Sequence, residues 1–323
     1  MKRLLVRMAA SVMAILLAVS CGVSKYAVNQ QYPALDSKMK YDGILEECFH
    51  DCSVEGPAKR RMMVYLPKDY YQNSDRFPVI YLLHGARGNE LSWIEKAGIL
   101  QNIDSLTASA KMKETIVVFP NVNQYKSEKD FGKSRLKGAI ESFFETDGVV
   151  EAAFMNDVVG TIDSVYRTIP DRSHRAIAGL SIGAMQSMYI SANSPESFGY
   201  VGLFSSMVHP VLRKSEHSSF YKDLKKKMEL QFRNPPTLYW IMIGKTDIYY
   251  PRMVSFKKYL DKKPVSQMYT IPALSRRRFR PRIVCQAWQY VLISCCRPGC
   301  LLFPAYHTRA LPCLSCHLCH RCC

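Results

Sequence analysis

The sequence predicts an α/β fold with a mostly parallel central sheet and helices on both faces. Three observations carry this. Unbroken apolar runs at residues 77–83 and 238–243 suit strands buried on both faces. Segments with helical spacing separate such runs. Strand and helix signals then alternate along the chain, as a parallel sheet with crossover helices requires. The 323 residues, 48% of them apolar, suit one large domain with extensions.

The first 21 residues read as a lipoprotein signal peptide. Lys2, Arg3 and Arg7 form a positive start, and residues 8–18 form an apolar core too short to span a bilayer. Ala18-Val19-Ser20-Cys21 resembles a bacterial lipobox, which makes Cys21 the expected lipidation site. The alternative is an ordinary cleaved signal with a chance cysteine. Residues 22–40 are then a polar tether, and the protein is expected to be exported. It would sit as a membrane-anchored lipoprotein in the periplasm or on the cell surface.

Residues 41–67 read as two extended segments around a Gly56-Pro57 turn. Cys48 and Cys52 lie four residues apart, about 13 Å at ~3.3 Å per residue in a straight strand. A disulfide needs Cα atoms within about 7 Å, so the two are not expected to pair there. With His50 they line one strand face, for which plain packing is the preferred reading over a metal site.

Residues 77–83 form the first buried strand, and residues 93–108 have helical spacing. Residues 114–119 are a second apolar strand, closed by Pro120. The polar stretch 121–144 is long for a loop, as functional loops often are. Apolar residues recur at helical spacing from Met155 to Tyr166, with Pro170 as the expected stop. Asp157 and Asp163 on that helix are expected to be solvated or capping. Residues 176–180 are a strand, 183–192 a helix, 201–204 and 238–243 strands, 254–260 a helix and 266–271 a last strand. Residues 207–234, with their Lys225-Lys226-Lys227 run, are expected at the pocket rim.

Gly179-Leu180-Ser181-Ile182-Gly183 falls between a strand and a helix. Gly-x-Ser-x-Gly alone is a weak string, but that context is what a nucleophile elbow requires. A tight turn excludes Cβ atoms at Gly179 and Gly183 and pushes the Ser181 hydroxyl outward. His84-Gly85-Ala86-Arg87-Gly88 follows the first buried strand, and Gly244-Lys245-Thr246-Asp247 follows a late one. Ligands on such sheets bind beyond the carboxyl ends of the strands. His84, Gly85, Ser181 and Asp247 are therefore expected to converge at one sheet edge.

Together these motifs resemble the esterase family that includes esterase D-type enzymes, feruloyl and acetyl-xylan esterases, and mycolyltransferases. The resemblance covers residues 41–270, the expected α/β-hydrolase domain. It implies acyl transfer to water through an acyl-enzyme on Ser181, with no cofactor and no metal. It assigns the oxyanion hole to the backbone N–H groups of Ala86 and Ile182. Asp247 would orient a histidine, and His84 would shape its loop rather than act as base. The implied partner is an ester substrate, such as an acylated carbohydrate.

The tail departs from this pattern. Residues 271–323 hold eight Arg and nine Cys but no Lys, Asp or Glu, whereas the first 270 hold all 27 acidic residues. Where the family places its histidine, the chain reads Ala273-Leu274-Ser275-Arg276-Arg277-Arg278-Phe279-Arg280-Pro281-Arg282, and no histidine follows until His307. If these arginines use CGN codons, a one-base shift, which allows about four residues at each shifted codon, permits Arg276 to Arg282 to decode as Gly-Gly-Gly-Phe-Gly-His-Gly. A frameshift over 271–323 is therefore the expected account, ahead of a genuine Cys/His zinc tail or a base supplied by His307. The full net charge of +17 owes 8 units to this tail. The body is only modestly basic and shows no basic stripe with interleaved aromatics, so nucleic acid is not an expected partner. Three functions remain open for the chain as written: an esterase impaired by loss of its histidine, an acyltransferase on the same nucleophile, and a non-catalytic surface lipoprotein.

Overall fold

A computed structural model describes residues 34–35, 38–53, 59–86, 88–123, 145–208, 211–212, 216–262 and 266–271. β1 (Ile44–Asp51) and β2 (Lys59–Leu66) form the antiparallel pair expected around Gly56-Pro57, with Cys48 opposite Met62. β3 (Val79–Leu83) and β4 (Ile116–Pro120) are buried along their whole lengths, as unbroken apolar runs in a two-faced sheet should be. β6 (Arg175–Leu180), β7 (Tyr200–Phe204), β9 (Leu238–Gly244) and β10 (Ser266–Ile271) complete the sheet. The short strands β5 (Glu145–Thr146) and β8 (Val211–Leu212) pair separately.

The eight-stranded sheet runs β1-β2-β4-β3-β6-β7-β9-β10. Its first two pairings, β1 with β2 and β2 with β4, are antiparallel, and the remainder are parallel. From β3 the chain first moves outward to β4, then returns to place β6 on the other side of β3. That reversal opens a crevice at the carboxyl ends of β3 and β6.

Helices cover both faces. α1 (Ser92–Ala97) and α2 (Ile99–Ala108) pack on one through Trp93, Ile94, Leu100 and Ile103. The sequence reads as one helix here. Gly98 in the left-handed region, at φ 57°, divides it without disturbing the apolar spacing that the reading relied on.

The other face carries α3 (Val149–Phe154), α4 (Gly160–Val165), α5 (Ile182–Asn193), α6 (Leu224–Gln231) and α7 (Tyr250–Leu260). A five-residue π-helix, Met155–Val159, joins α3 to α4. The expected helix from Met155 to Pro170 thus starts earlier and ends earlier. Its first turn, Val-Val-Glu-Ala-Ala-Phe, is mostly buried and shows no polar face to mark it. Its end comes at Tyr166, where the backbone turns extended and Phe77 bridges to Thr168. Helix α6 contains the lysine run placed at the pocket rim; Lys225 and Lys226 are exposed, while Met228 and Gln231 are buried. Cys21, the tether up to residue 33, most of 121–144 and the tail beyond Ile271 lie outside the described residues.

Candidate active site

Ser181 stands between β6 and α5 with φ 56° and ψ −114°, a backbone conformation that an L-residue adopts only under strong constraint. The constraint is visible on both sides. The Ser181 N–H donates to the Phe204 carbonyl at the end of β7, at 2.8 Å. A Cβ on Gly179 would lie 2.4 Å from the Gly183 carbonyl oxygen, and one on Gly183 would lie 2.2 Å from the His84 carbonyl oxygen. Neither glycine has a positive φ. Both are needed because backbone passes against backbone, and the second contact ties the start of α5 directly to the loop after β3.

That loop is firmly braced. His84 is buried, and both of its ring nitrogens are engaged. Nδ1 meets the Gly85 carbonyl at 2.9 Å, so it must carry the proton; Nε2 accepts from the Val122 N–H at 3.1 Å. Burial lowers this histidine from 6.5 to about 4, which keeps it neutral. Gly85 lies against Leu180 and Ser181, where an added Cβ would stand 3.6 Å from the Ser181 Cβ. Ala86 is half-buried in the turn that the Gly88 N–H closes onto the Gly85 carbonyl. Ile182 opens the twelve-residue α5, so its N–H is among the amides with no intrahelical acceptor, at the positive end of the helix.

Asp247 follows β9 by three residues. Its N–H donates to the Gly244 carbonyl, and its Oδ1 accepts from the Tyr249 N–H at 2.9 Å, which turns the chain into α7. Ser181 and Asp247 line one open cleft of about 560 Å³ with Leu180, Ser205, Thr246, Ile248 and Tyr249. Ser205 is another non-glycine residue at positive φ, 46°, held by its N–H to the Met242 carbonyl. Among the described residues no histidine is hydrogen-bonded to Ser181.

Several supporting residues had no local signal in the sequence. Arg61 on β2 pairs with Glu90, whose side chain is fully buried, at 2.7 Å, and the other Glu90 oxygen accepts from Asn121 at 2.7 Å. Asn123 donates to the Gly88 carbonyl, and Trp93 Nε1 to the Leu83 carbonyl. These groups come from three separate parts of the chain, so only the fold reveals that they serve one loop. Asp157 and Asp163 are not solvated as expected. Asp157 is 8% exposed and accepts from the Ser53 N–H, and Asp163 accepts from Arg175 at 2.6 Å and from Thr168. Both are drawn inward because an adjoining strand or loop presents unmatched donors to their helix. Cys48 and Cys52 are free thiols, and Cys48 packs in the core.

A family-wide sequence profile described as "Putative esterase" matches residues 53–282, more than half of the chain. The chain belongs to the esterase family. Its fold is that of the α/β hydrolases. The endo-1,4-beta-xylanase/feruloyl esterase of Xylanibacter ruminicola is 38% identical over 191 residues, covering 57% of this chain but only 24% of that relative. A solved ferulic acid esterase superposes with a TM-score of 0.61 at 21% identity, covering 79% of this chain and 99% of the other. The ferulic acid esterase of Anaeromyces mucronatus, solved in complex with ferulic acid, gives 0.58 at 17% identity, covering 82% and 96%. At these identities the solved structures speak for the fold alone.

Proposed function

We propose that Ser181 is the nucleophile that takes the acyl group of a carboxylic ester, with Asp247 as the acid of its triad. The oxyanion is held by the N–H groups of Ala86 and Ile182, and water then releases the acid. The observation that carries this is the strained Ser181 backbone at the crevice between β3 and β6, in a cleft shared with Asp247. Strain of this kind persists only where the surrounding packing enforces it, and here three backbone contacts do so. His84 and Gly85 act as scaffold, because both His84 nitrogens are already used. The substrate class we favour is an aromatic or acyl ester of a polysaccharide, on the strength of the relative's feruloyl esterase activity.

The base that this mechanism needs is a histidine after β10, where the chain instead carries an arginine run. We read residues beyond about Ser275 as frameshifted, so that the chain as written is an assembled but impaired esterase. The non-catalytic reading has the same observation in its favour: Ser181 has no hydrogen-bonded histidine among the described residues. A fluorophosphonate probe separates the two. Slow labelling that Ser181→Ala removes supports a polarised serine in a working oxyanion hole; no labelling above that of the Ser181→Ala chain favours the bare fold.

The signal-like start and lipobox support export with lipidation at Cys21. Cys21→Ser is then expected to release the protein from the membrane fraction. An unmodified N-terminus elsewhere, seen by mass spectrometry, would defeat that reading.

A further inference from the structure

We infer that His50, Cys52 and Asp157 form a binding site for a single borderline-soft divalent cation, Zn²⁺ being the best match. The three residues come from two elements. His50 is the penultimate residue of β1, Cys52 follows that strand, and Asp157 lies in the π-helix that packs across it. One ring nitrogen, the Cys52 sulfur and a carboxylate oxygen all lie within 4.8 Å of one another. A cation at their centre would draw the three ligand atoms in to bonds of about 2.0–2.3 Å.

The state of His50 points the same way. It is 4% exposed. Its Nδ1 lies 3.0 Å from the Asp51 carbonyl, which can only accept, so Nδ1 carries the proton. Nε2 then bears the lone pair, and this buried atom has no hydrogen-bond partner. An imidazole fixed through Nδ1–H to a backbone carbonyl, with Nε2 left over, is the usual preparation of a metal-binding histidine. Asp157 is also prepared, because one of its oxygens accepts from the Ser53 N–H at 2.9 Å. π-helical turns are rare and recur at functional sites, since the widened turn redirects a side chain; here it sets a carboxylate beside a thiol and an imidazole.

The donor set decides the class of ion. One nitrogen, one sulfur and one oxygen suit Zn²⁺ or a neighbouring transition metal and disfavour Mg²⁺ or Ca²⁺, which require oxygen. Binding exchanges the Cys52 thiol proton for the cation and releases that proton to solvent. The nearby Arg60 guanidinium, which donates to the Asn121 and Asn123 carbonyls, offsets part of the negative charge of the thiolate and carboxylate. Three protein ligands leave a fourth tetrahedral position for water. The ion would pin the end of β1 to the helical layer that precedes β6.

Nine further cysteines lie between Cys285 and Cys323, and any thiol is a zinc ligand, so the test is a difference. The full-length protein, kept reduced, is dialysed against Zn²⁺ beside Cys52→Ser, His50→Gln and Asp157→Asn chains, with circular dichroism to establish that each is folded. Asparagine keeps an acceptor for the Ser53 N–H, so the fold is retained at that position. The parent should bind one more equivalent than Cys52→Ser. His50→Gln and Asp157→Asn should weaken that equivalent by more than the roughly 10–100-fold that loss of an outer partner costs. Zinc should raise the melting temperature of the parent and not of Cys52→Ser, because an ion bound only by the folded body stabilises it. Equal uptake and equal melting shifts in parent and Cys52→Ser overturn the site. An equivalent that depends on Cys52 but on neither His50 nor Asp157 overturns it as a three-ligand centre.

Discussion

Around Ser181 the chain is pinned by backbone from distant elements packed against backbone, whereas around Asp247 it is held by local turn hydrogen bonds to Gly244, Tyr249 and Tyr250. The serine side has glycines at 179 and 183 with no room for a Cβ, a buried His84 bonded through both nitrogens, and the Arg61–Glu90–Asn121 network beneath its loop. The aspartate side has exposed Lys245 and Thr246, an Ile248 that is 75% exposed, and the Asp247–Tyr249 turn. The difference shows which parts of an esterase site a fold supplies by itself. An elbow and an oxyanion loop are consequences of strand and helix packing. In the proposed triad the acid and its histidine come from separate loops, so the acid loop depends on a partner from later in the chain.

The largest expected effect breaks the comparison outright. Restoring the other reading frame after about Ser275 should return a histidine to the loop after β10. Hydrolysis of p-nitrophenyl acetate should then rise by roughly 10²–10⁴-fold, the usual contribution of a positioned general base. Ser181→Ala should abolish the gain. Full activity in the chain as written would mean that another group, such as His307, serves as base.

The second effect tests how firmly the serine side is braced. Arg61 is 3% exposed in its side chain and Glu90 is fully enclosed. Arg61→Met leaves a buried carboxylate without its cation, which in buried pairs costs about 3–5 kcal/mol. Urea unfolding of Arg61→Met against the parent measures this. The double variant Arg61→Met with Glu90→Leu should recover much of the loss; a double variant as unstable as the single one would show that the pair matters through packing alone.

The third effect concerns His84. Its folded value, about 4, lies below the ordinary 6.5, chiefly because burial disfavours the charged ring. The unfolded chain therefore takes up the proton first. Stability that is whole above pH 6.5 is lost as the pH falls towards 4, by about 3 kcal/mol when complete. His84→Asn should remove this component, so the parent and variant stability curves should converge on acidification. Parallel curves between pH 7 and 4 would mean that His84 is protonated as readily as an exposed histidine.

The sequence showed the fold through its apolar runs. Residues 79–83, 116–120 and 238–244 are strands because nothing polar interrupts them, and the elbow glycines were visible by their spacing around Ser181. What stayed hidden was non-local or off-period. Gly98 divides a helix whose apolar spacing carries on across the break, and the π-helix at Met155–Val159 departs from the 3.6-residue repeat used to read it. Arg61, Glu90, Asn121 and Asn123 converge only through the pairing of β2 with β4 and the packing of the loop after β3. Asp157 looked like a surface acid because its partner, the Ser53 N–H, is 104 residues away in sequence.

The smallest expected change in stability sharpens the aspartate side. Asp247→Asn keeps an oxygen that can accept from the Tyr249 N–H, so the turn into α7 survives. Asp247 is only partly buried, and surface substitutions that preserve such a bond usually stay within about ±0.5 kcal/mol. Its thermal unfolding should therefore match that of the parent. In the frame-restored chain the same substitution removes the charge that steadies an imidazolium and fixes its tautomer, for which well-studied triads lose about 10⁴ in kcat. A silent change in stability joined to a large change in kcat would separate Asp247's local turn from its role towards a histidine. An equal loss of both would make Asp247 a structural cap, and would move the search for the acid to another loop of the cleft.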